Sequence, residues 1–238
     1  IGAQYIRNIV EHPHVDGAVG YVHCQGPWMS KILASTSSEL LHLLIDVQYK
    51  PVEGYNIFQG TIYDALSGTQ MTVWRIYFDP SAHTESAEQV EGWMQLVAAT
   101  ATKDGHPIDW TSGNQISSIG VDAAQGQLAG LRAFLGDETC DKLIQLCKVH
   151  FHRACQLSLS QDGITHDKGL MVEARSLLDE CLCTDPILSE DQLRENLDTL
   201  ESLKSRLEGA EHDTVRDKSW FRGTIKFYRR GGNAKCLF

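Results

Sequence analysis

Three runs follow one another between residues 40 and 78, "LLHLLIDVQYK", "NIFQGTIYD" and "MTVWRIYF", each dense in apolar, β-branched and aromatic residues. Such residues pack best on a pleated, half-buried surface, and the Ser67-Gly68 pair between the second and third runs has the turn chemistry of a hairpin. Three consecutive strands are therefore expected. The first run also carries an anomaly: its apolar stretch ends on Asp46, and a buried carboxylate costs several kcal/mol unless something compensates it. A second run, "SSIGVDAAQGQ" from 117 to 127, ends in the same way on Asp122.

Between these two runs, Ala87, Val90, Trp93, Met94, Val97 and Ala98 recur at steps of three and four, with Glu85, Glu88 and Glu91 on the wet side; this predicts a helix over 84–101. "KDGHP" stops it, and "DGHPIDW" reads as the loop into the next strand, Ile116 to Val121. A second helix over 124–135 and a strand within "KLIQLCKV" (142–149) complete the order β-β-β-α-β-α-β. A fourth strand that returns beside the first brings Asp46 and Asp122 together. Hard carboxylate oxygens suit Mg²⁺ or Mn²⁺, which keep some waters and accept phosphate oxygens as further ligands. In a two-metal site, with ions roughly 4 Å apart, one ion activates the attacking oxygen and the other steadies the leaving oxygen of a phosphodiester. Against this stands a plain alternative for each aspartate, as a turn former or, for Asp122, as the cap of the following helix.

The rest of the chain is less specific. "EHPHVDG" reads as a turn and "STSSE" as a polar boundary within residues 1–38. From 151 to 209 the pattern is helical. "SEDQ" offers a capping box through Ser189 and Gln192, and Leu193, Leu197, Leu200, Leu203 and Leu207 form a stripe that Gly209 can close. Such a stripe is either one face of a local helical hairpin or a seam for a partner. The formal net charge is -10, yet the segment from Lys218 to Phe238 holds six basic residues and no acidic one. That tail is either a solvated terminus or a nucleic-acid contact, whereas the acidic remainder argues against a surface that clings to DNA everywhere. The seven cysteines are odd in number and scattered, which fits a reducing compartment better than a disulfide framework. No window approaches the roughly 18 consecutive apolar residues of a membrane helix, and no leader pattern opens the chain, which begins at Ile1 as a piece of a longer polypeptide would. Trp74, Trp93 and Trp110 read as core aromatics rather than base-stacking platforms.

Taken in order, "LLIDVQYK", "NIFQGTIYD…TVWRIYF", "SSIGVDAAQGQLAGL" and "CKVHFHR" resemble the catalytic core of Mutator-like element (MULE) DNA transposases, over roughly residues 40–155. The matching positions are Asp46 with Tyr49 and Lys50, then Asp122, then Cys147 with His150 of a C-x-x-H pattern. The resemblance implies an α/β fold: an RNase H-like mixed sheet flanked by helices, followed by an all-helical insertion. It divides the chain into a flanking segment (1–38), the core (39–158), the insertion (159–214) and a basic C-terminal segment (215–238). It implies a DDE-type nuclease and strand transferase with two Mg²⁺ or Mn²⁺ ions on Asp46 and Asp122. Transposon ends and target DNA would be its partners, with a homo-oligomer as a further expectation, no membrane, and a nuclear location in a eukaryote.

The resemblance also makes Lys50 a phosphate contact, and it sets Cys147 and His150 beside the acidic residues to organise the substrate strand. If the stretch runs from strand into helix, His150 and Arg153 point towards that site. Zinc is the other chemistry that "CKVHFHRAC" invites, but no second ligand pair stands out, and His152 and Cys155 are left to packing. The family's third acid, usually a glutamate beyond the C-x-x-H pattern, has no match here. Glu173, Glu180, Glu195, Glu201 and Glu208 all fall in the helical region, outside the family's usual context. Two rivals follow: a transposase-derived module that binds DNA or protein without cutting, and an interaction module that pairs through the leucine stripe.

Overall fold

The computed structural model describes residues 5–34, 41–64, 68–110, 115–122 and 124–147, together with ten separate residues between 172 and 202. The chain divides into two compact units, Ile1–Ile144 and Gln145–Phe238. The elements are β1 (Ile6–Glu11), β2 (Val19–Cys24), α1 (Pro27–Leu33), β3 (Leu41–Val52), β4 (Tyr55–Asp64), β5 (Thr69–Phe78), α2 (Ala87–Lys103), β6 (Ile116–Val121), α3 (Gln125–Leu135), α4 (Asp137–Leu143) and β7 (Ile144–Leu146). All the strands join one seven-stranded sheet in the order β1-β2-β5-β4-β3-β6-β7. The pairs β3/β4, β4/β5, β5/β2 and β2/β1 are antiparallel, while β6 lies parallel to β3. The fold is thus mixed α/β, and the three strands expected from residues 40–78 are β3, β4 and β5.

Alternation along these strands decides which face is dry. Leu43, Ile45 and Val47 of β3 stand in register with Ile62, Gly60 and Phe58 of β4, and Leu43 and Ile45 with Ile119 and Val121 of β6. Helix α2 covers this face. Its Val90, Trp93, Met94 and Val97 are all buried, and the Trp93 ring lies 5.1 Å from that of Phe58 and 4.8 Å from that of Phe78. Burying each such side chain is worth about 1.5–3 kcal/mol, and each tilted ring pair adds roughly 1 kcal/mol. Trp74 and Trp110 are buried as well, so all three tryptophans in question are core residues. At Gly60 a side chain is impossible without rearrangement, because a methyl there would lie 2.3–2.4 Å from three carbons of the Trp74 ring.

Helix α2 begins three residues later than the periodicity predicts, with Ser86 at its N-cap accepting from the Gln89 amide, and it ends at Lys103. The expected strand over 142–149 is mostly not one. Gly136, with φ +80, lets the chain leave α3 and start α4, which uses residues up to Leu143 and leaves β7 only Ile144–Leu146. "EHPHVDG" is indeed the turn between β1 and β2, and "DGHPIDW" the irregular link after α2. "STSSE", Ser189, the leucine stripe and the basic C-terminal segment lie outside the described residues. The ten separate residues between 172 and 202 are helical, in line with the expectation for that region. Among the described residues, no helix is long and apolar enough to cross a membrane. Cys24, Cys140 and Cys147 are free thiols.

Strands β1 and β2 extend the sheet beyond β5, and a buried polar chain ties them to the helices. Asp104, at the end of α2, accepts from Arg7 through both carboxylate oxygens (2.8 and 2.9 Å) and from Ser30 (2.7 Å). Ser30 in turn accepts from Gln25 Nε2 (3.0 Å), whose Oε1 lies 3.0 Å from His23 Nε2. These bonds make most of the buried polar chain tolerable, and the buried His23 Nδ1 alone among its buried side-chain polar atoms has no hydrogen-bond partner. His23 is fully buried, and desolvation pushes its imidazole down from 6.5 to about 4.

Two outcomes follow from this packing. Gly60→Ala should lower stability by about 3 kcal/mol or more, read as a reduced midpoint in urea, because the ring against it has no free space to enter. The unfolded chain protonates His23 near 6.5 and the folded one only near 4. Its contribution is therefore complete above 6.5 and is lost as the pH falls through that window, by up to about 3 kcal/mol. Urea titrations between pH 7 and 4 should show a smaller decline for His23→Leu than for the parent.

Candidate functional site

The register of β3 against β6 brings the two aspartates together. Parallel pairing runs from Leu41 opposite Ile116 to Ile45 opposite Val121, so Asp46 and Asp122 are the next residues on two neighbouring chains. Adjacent strands are about 4.8 Å apart, which places the two backbones at a distance one cation can bridge. Both residues are partly exposed. The N-cap of α3 is Ala124, which makes no side-chain capping bond, so Asp122 does not occupy the cap position. Across the sheet from Asp46 stands Gln59 on β4, and across from Gln59 stands Arg75 on β5. Among the described residues no group of three or more His, Cys, Asp or Glu is arranged to hold a metal ion.

Two residues that periodicity does not single out complete the surroundings. The Tyr49 hydroxyl donates to Glu85 Oε1 at 2.7 Å. Burial raises the Tyr49 phenol far above its ordinary value, with further contributions from the Glu85 hydrogen bond and from the charges of Glu85, Asp122 and Asp46. The residue as a whole is 65% exposed. Glu85 was expected on the wet face of a helix. It precedes α2 instead, and its backbone carbonyl lies so close to Gly126 of α3 that no Cβ would fit between them. Gly130, one turn on, allows the same close approach to Ala87 and Val90. The two glycines bring the start of α2 against the start of α3, and with it Glu85 towards Asp122. Nothing in the spacing of these residues announces that contact, because it joins segments about 40 positions apart.

Lys50 follows Tyr49 in an exposed overhang of β3, where the pairing with β4 shifts register between Gln48 and Val52. Its φ of +54 is left-handed, the only such value at a non-glycine residue among those described. The buried Asn56 supports it by accepting the Lys50 amide hydrogen at 3.0 Å. Cys147 is half-buried just past β7, while His150 and Arg153 lie outside the described residues.

A second cluster resembles nucleophile chemistry and is not arranged for it. His12 Nε2 lies 3.1 Å from Ser81 Oγ, and Asp79 accepts from the same hydroxyl at 2.7 Å. His12 Nδ1 accepts the His14 amide hydrogen at 3.0 Å, so the neutral ring carries its proton on Nε2 and cannot take one from Ser81. The trio clasps the β1–β2 turn to the segment after β5. The two hydrogen bonds from Ser81 hold the Asp79 carboxyl below the usual range.

No known family model matches this chain, and no curated protein or solved structure is similar to it.

The strained overhang can be checked directly. Lys50→Gly should leave stability unchanged or raise it by up to about 1 kcal/mol, since glycine adopts a left-handed backbone without the steric cost. Asn56→Ala should lower it by about 1 kcal/mol, because the Lys50 amide then loses its protein acceptor. Chemical denaturation of the two variants beside the parent measures both.

Proposed function

We propose that residues 41–146 form the RNase H-like catalytic core of a metal-dependent DNA transposase of the Mutator-like kind, which cleaves a DNA strand and transfers its end. The observation that carries this reading is the placing of Asp46 in β3 and of Asp122, one residue past β6, directly beyond the last pair of these parallel neighbours, in the strand order β5-β4-β3-β6-β7. Three antiparallel strands followed by a parallel return beside the first is the arrangement the resemblance implies. The donor chemistry fits Mg²⁺ or Mn²⁺, with Asp46 and Asp122 as the carboxylates that would hold it. When bound, such ions activate an attacking oxygen and stabilise the leaving oxygen at a phosphodiester.

The chain's own residues supply the setting. Tyr49 fixes the Glu85 carboxylate at the edge of the pair, and Lys50, four residues beyond Asp46, offers a positive charge to a neighbouring phosphate. Two carboxylates account for one ion. The second ion of the mechanism calls for a third acid, which this reading puts outside the described residues. DNA is the partner in this reading and the nucleus its setting. A transposase-derived module that binds without cutting is the rival, favoured by the absence of a three-ligand group among the described residues.

Calorimetric titration with MnCl₂ tests the proposal. The parent should give binding heat that Asp46→Asn combined with Asp122→Asn abolishes, and a Mn²⁺-dependent nick in supercoiled plasmid should disappear with it. Binding without nicking would favour the rival. Equal heats in the parent and the double variant would overturn the shared cation site.

A further inference from the structure

The pairing of β3 with β6 stops at Ile45 and Val121, but β3 runs on to Val52 while the other chain turns away into α3. A strand that loses its neighbour in the middle of a sheet is left with backbone groups that need new partners. At Ile45, the last residue paired with β6, a side chain adds a contact to the strand backbone. Gln127, in the first turn of α3, is 1% exposed, and its Nε2 donates to the Ile45 carbonyl at 3.3 Å. A carboxamide carries the same N–H donor as a peptide group, so it extends the ladder by one rung where the strand has ended. That rung is made on the residue directly before Asp46, by a residue five positions after Asp122.

We infer that Gln127 is a positioning residue for the carboxylate pair: it ties α3 to the backbone ahead of Asp46 and so fixes the separation at which Asp46 and Asp122 face a divalent cation. The inference rests on the cation reading above and deepens it. Cohesion of α3 does not require a polar residue at this point, since Leu128, Leu131 and Leu135 already bury the helix. Enclosing an amide that a leucine could replace is costly unless its hydrogen bond is needed. Gly126, the preceding residue, holds the same turn against the Glu85 backbone. The first turn of α3 is therefore fixed on two sides, against the entry to α2 and against β3, and Asp122 lies on the short link that leads into it.

A residue that merely stabilises the fold changes the melting temperature. One that sets the spacing of two ligands also changes cation affinity, and loss of an outer partner of a metal ligand typically weakens binding by about 10- to 100-fold. Titration of the full chain with MnCl₂ should show Gln127→Met binding about tenfold more weakly than the parent. Gln127→His, which keeps an N–H donor, should stay within about threefold, and Leu131→Ala, an apolar truncation in the same helix, close to the parent. Parent-like affinity in Gln127→Met, or an equal loss in Leu131→Ala, would overturn the inference while the contrast between the parent and the Asp46/Asp122 double variant still upheld the cation site. No binding in the parent would remove both. Should Gln127→Met fail to fold, the ¹⁵N-labelled parent decides: the Gln127 side-chain amide should shift as Mg²⁺ is added, and a stationary signal would sink the idea.

Discussion

The parallel pairing of β3 with β6 is the constraint on which the rest of the molecule depends. Parallel neighbours cannot be joined by a tight turn; they need a crossover of a dozen residues or more, and β4, β5 and α2 fill that interval here. The crossover helix then has to lie on the apolar face shared by β3, β4 and β5, which explains the weight of Trp93 against Phe58 and Phe78. The register of the pairing, Ile45 opposite Val121, also sets what stands beyond it. A shift of one residue would turn Val121 out of the core and separate the two aspartates, so burial of the valine and adjacency of the carboxylates are one choice.

The same fold treats its acids in different ways. Asp104 is compensated within the protein, by Arg7 Nη2, which reaches both carboxylate oxygens, and by Ser30. Asp79 is compensated by the Ser81 hydroxyl and amide. Asp46 and Asp122, both partly exposed, each follow the last paired residue of two neighbouring strands, and the Glu85 carboxylate accepts from Tyr49. Lys50, in the overhang of β3 beyond Asp46, departs from local preference too, with its left-handed backbone.

Much of this was legible in the sequence, for reasons that differ by element. Strands β3 to β5 and helix α2 carry their periodicity in consecutive residues, and their local preferences agree with their final packing. The aspartate pair was legible because both members end apolar runs and the order of elements returns one run beside the other. β1 and β2 were not, because "IRNIVE" and "VGYVHC" are short and their place depends on pairing with β5, more than 50 residues away. The apolar stretch around Leu143 and Ile144 reads equally as the end of a helix or the start of a strand, and it is both. Tyr49 with Glu85, and Gln127 with Ile45, were hidden for a different reason: each contact exists only once two helices have docked, and no spacing along the chain encodes it.

The route by which the sheet is closed sets an order of assembly. The turns between β3 and β4 and between β4 and β5 span only a few residues, from Val52 to Tyr55 and from Asp64 to Thr69. Joining β6 to β3 brings together His42 and Ser118, 76 positions apart. Short loops close early and long ones late, since chain entropy must be surrendered before the distant contact rewards it. The meander therefore forms before β6 arrives. Asp46 and Asp122 become neighbours along the sheet only when that long crossover closes.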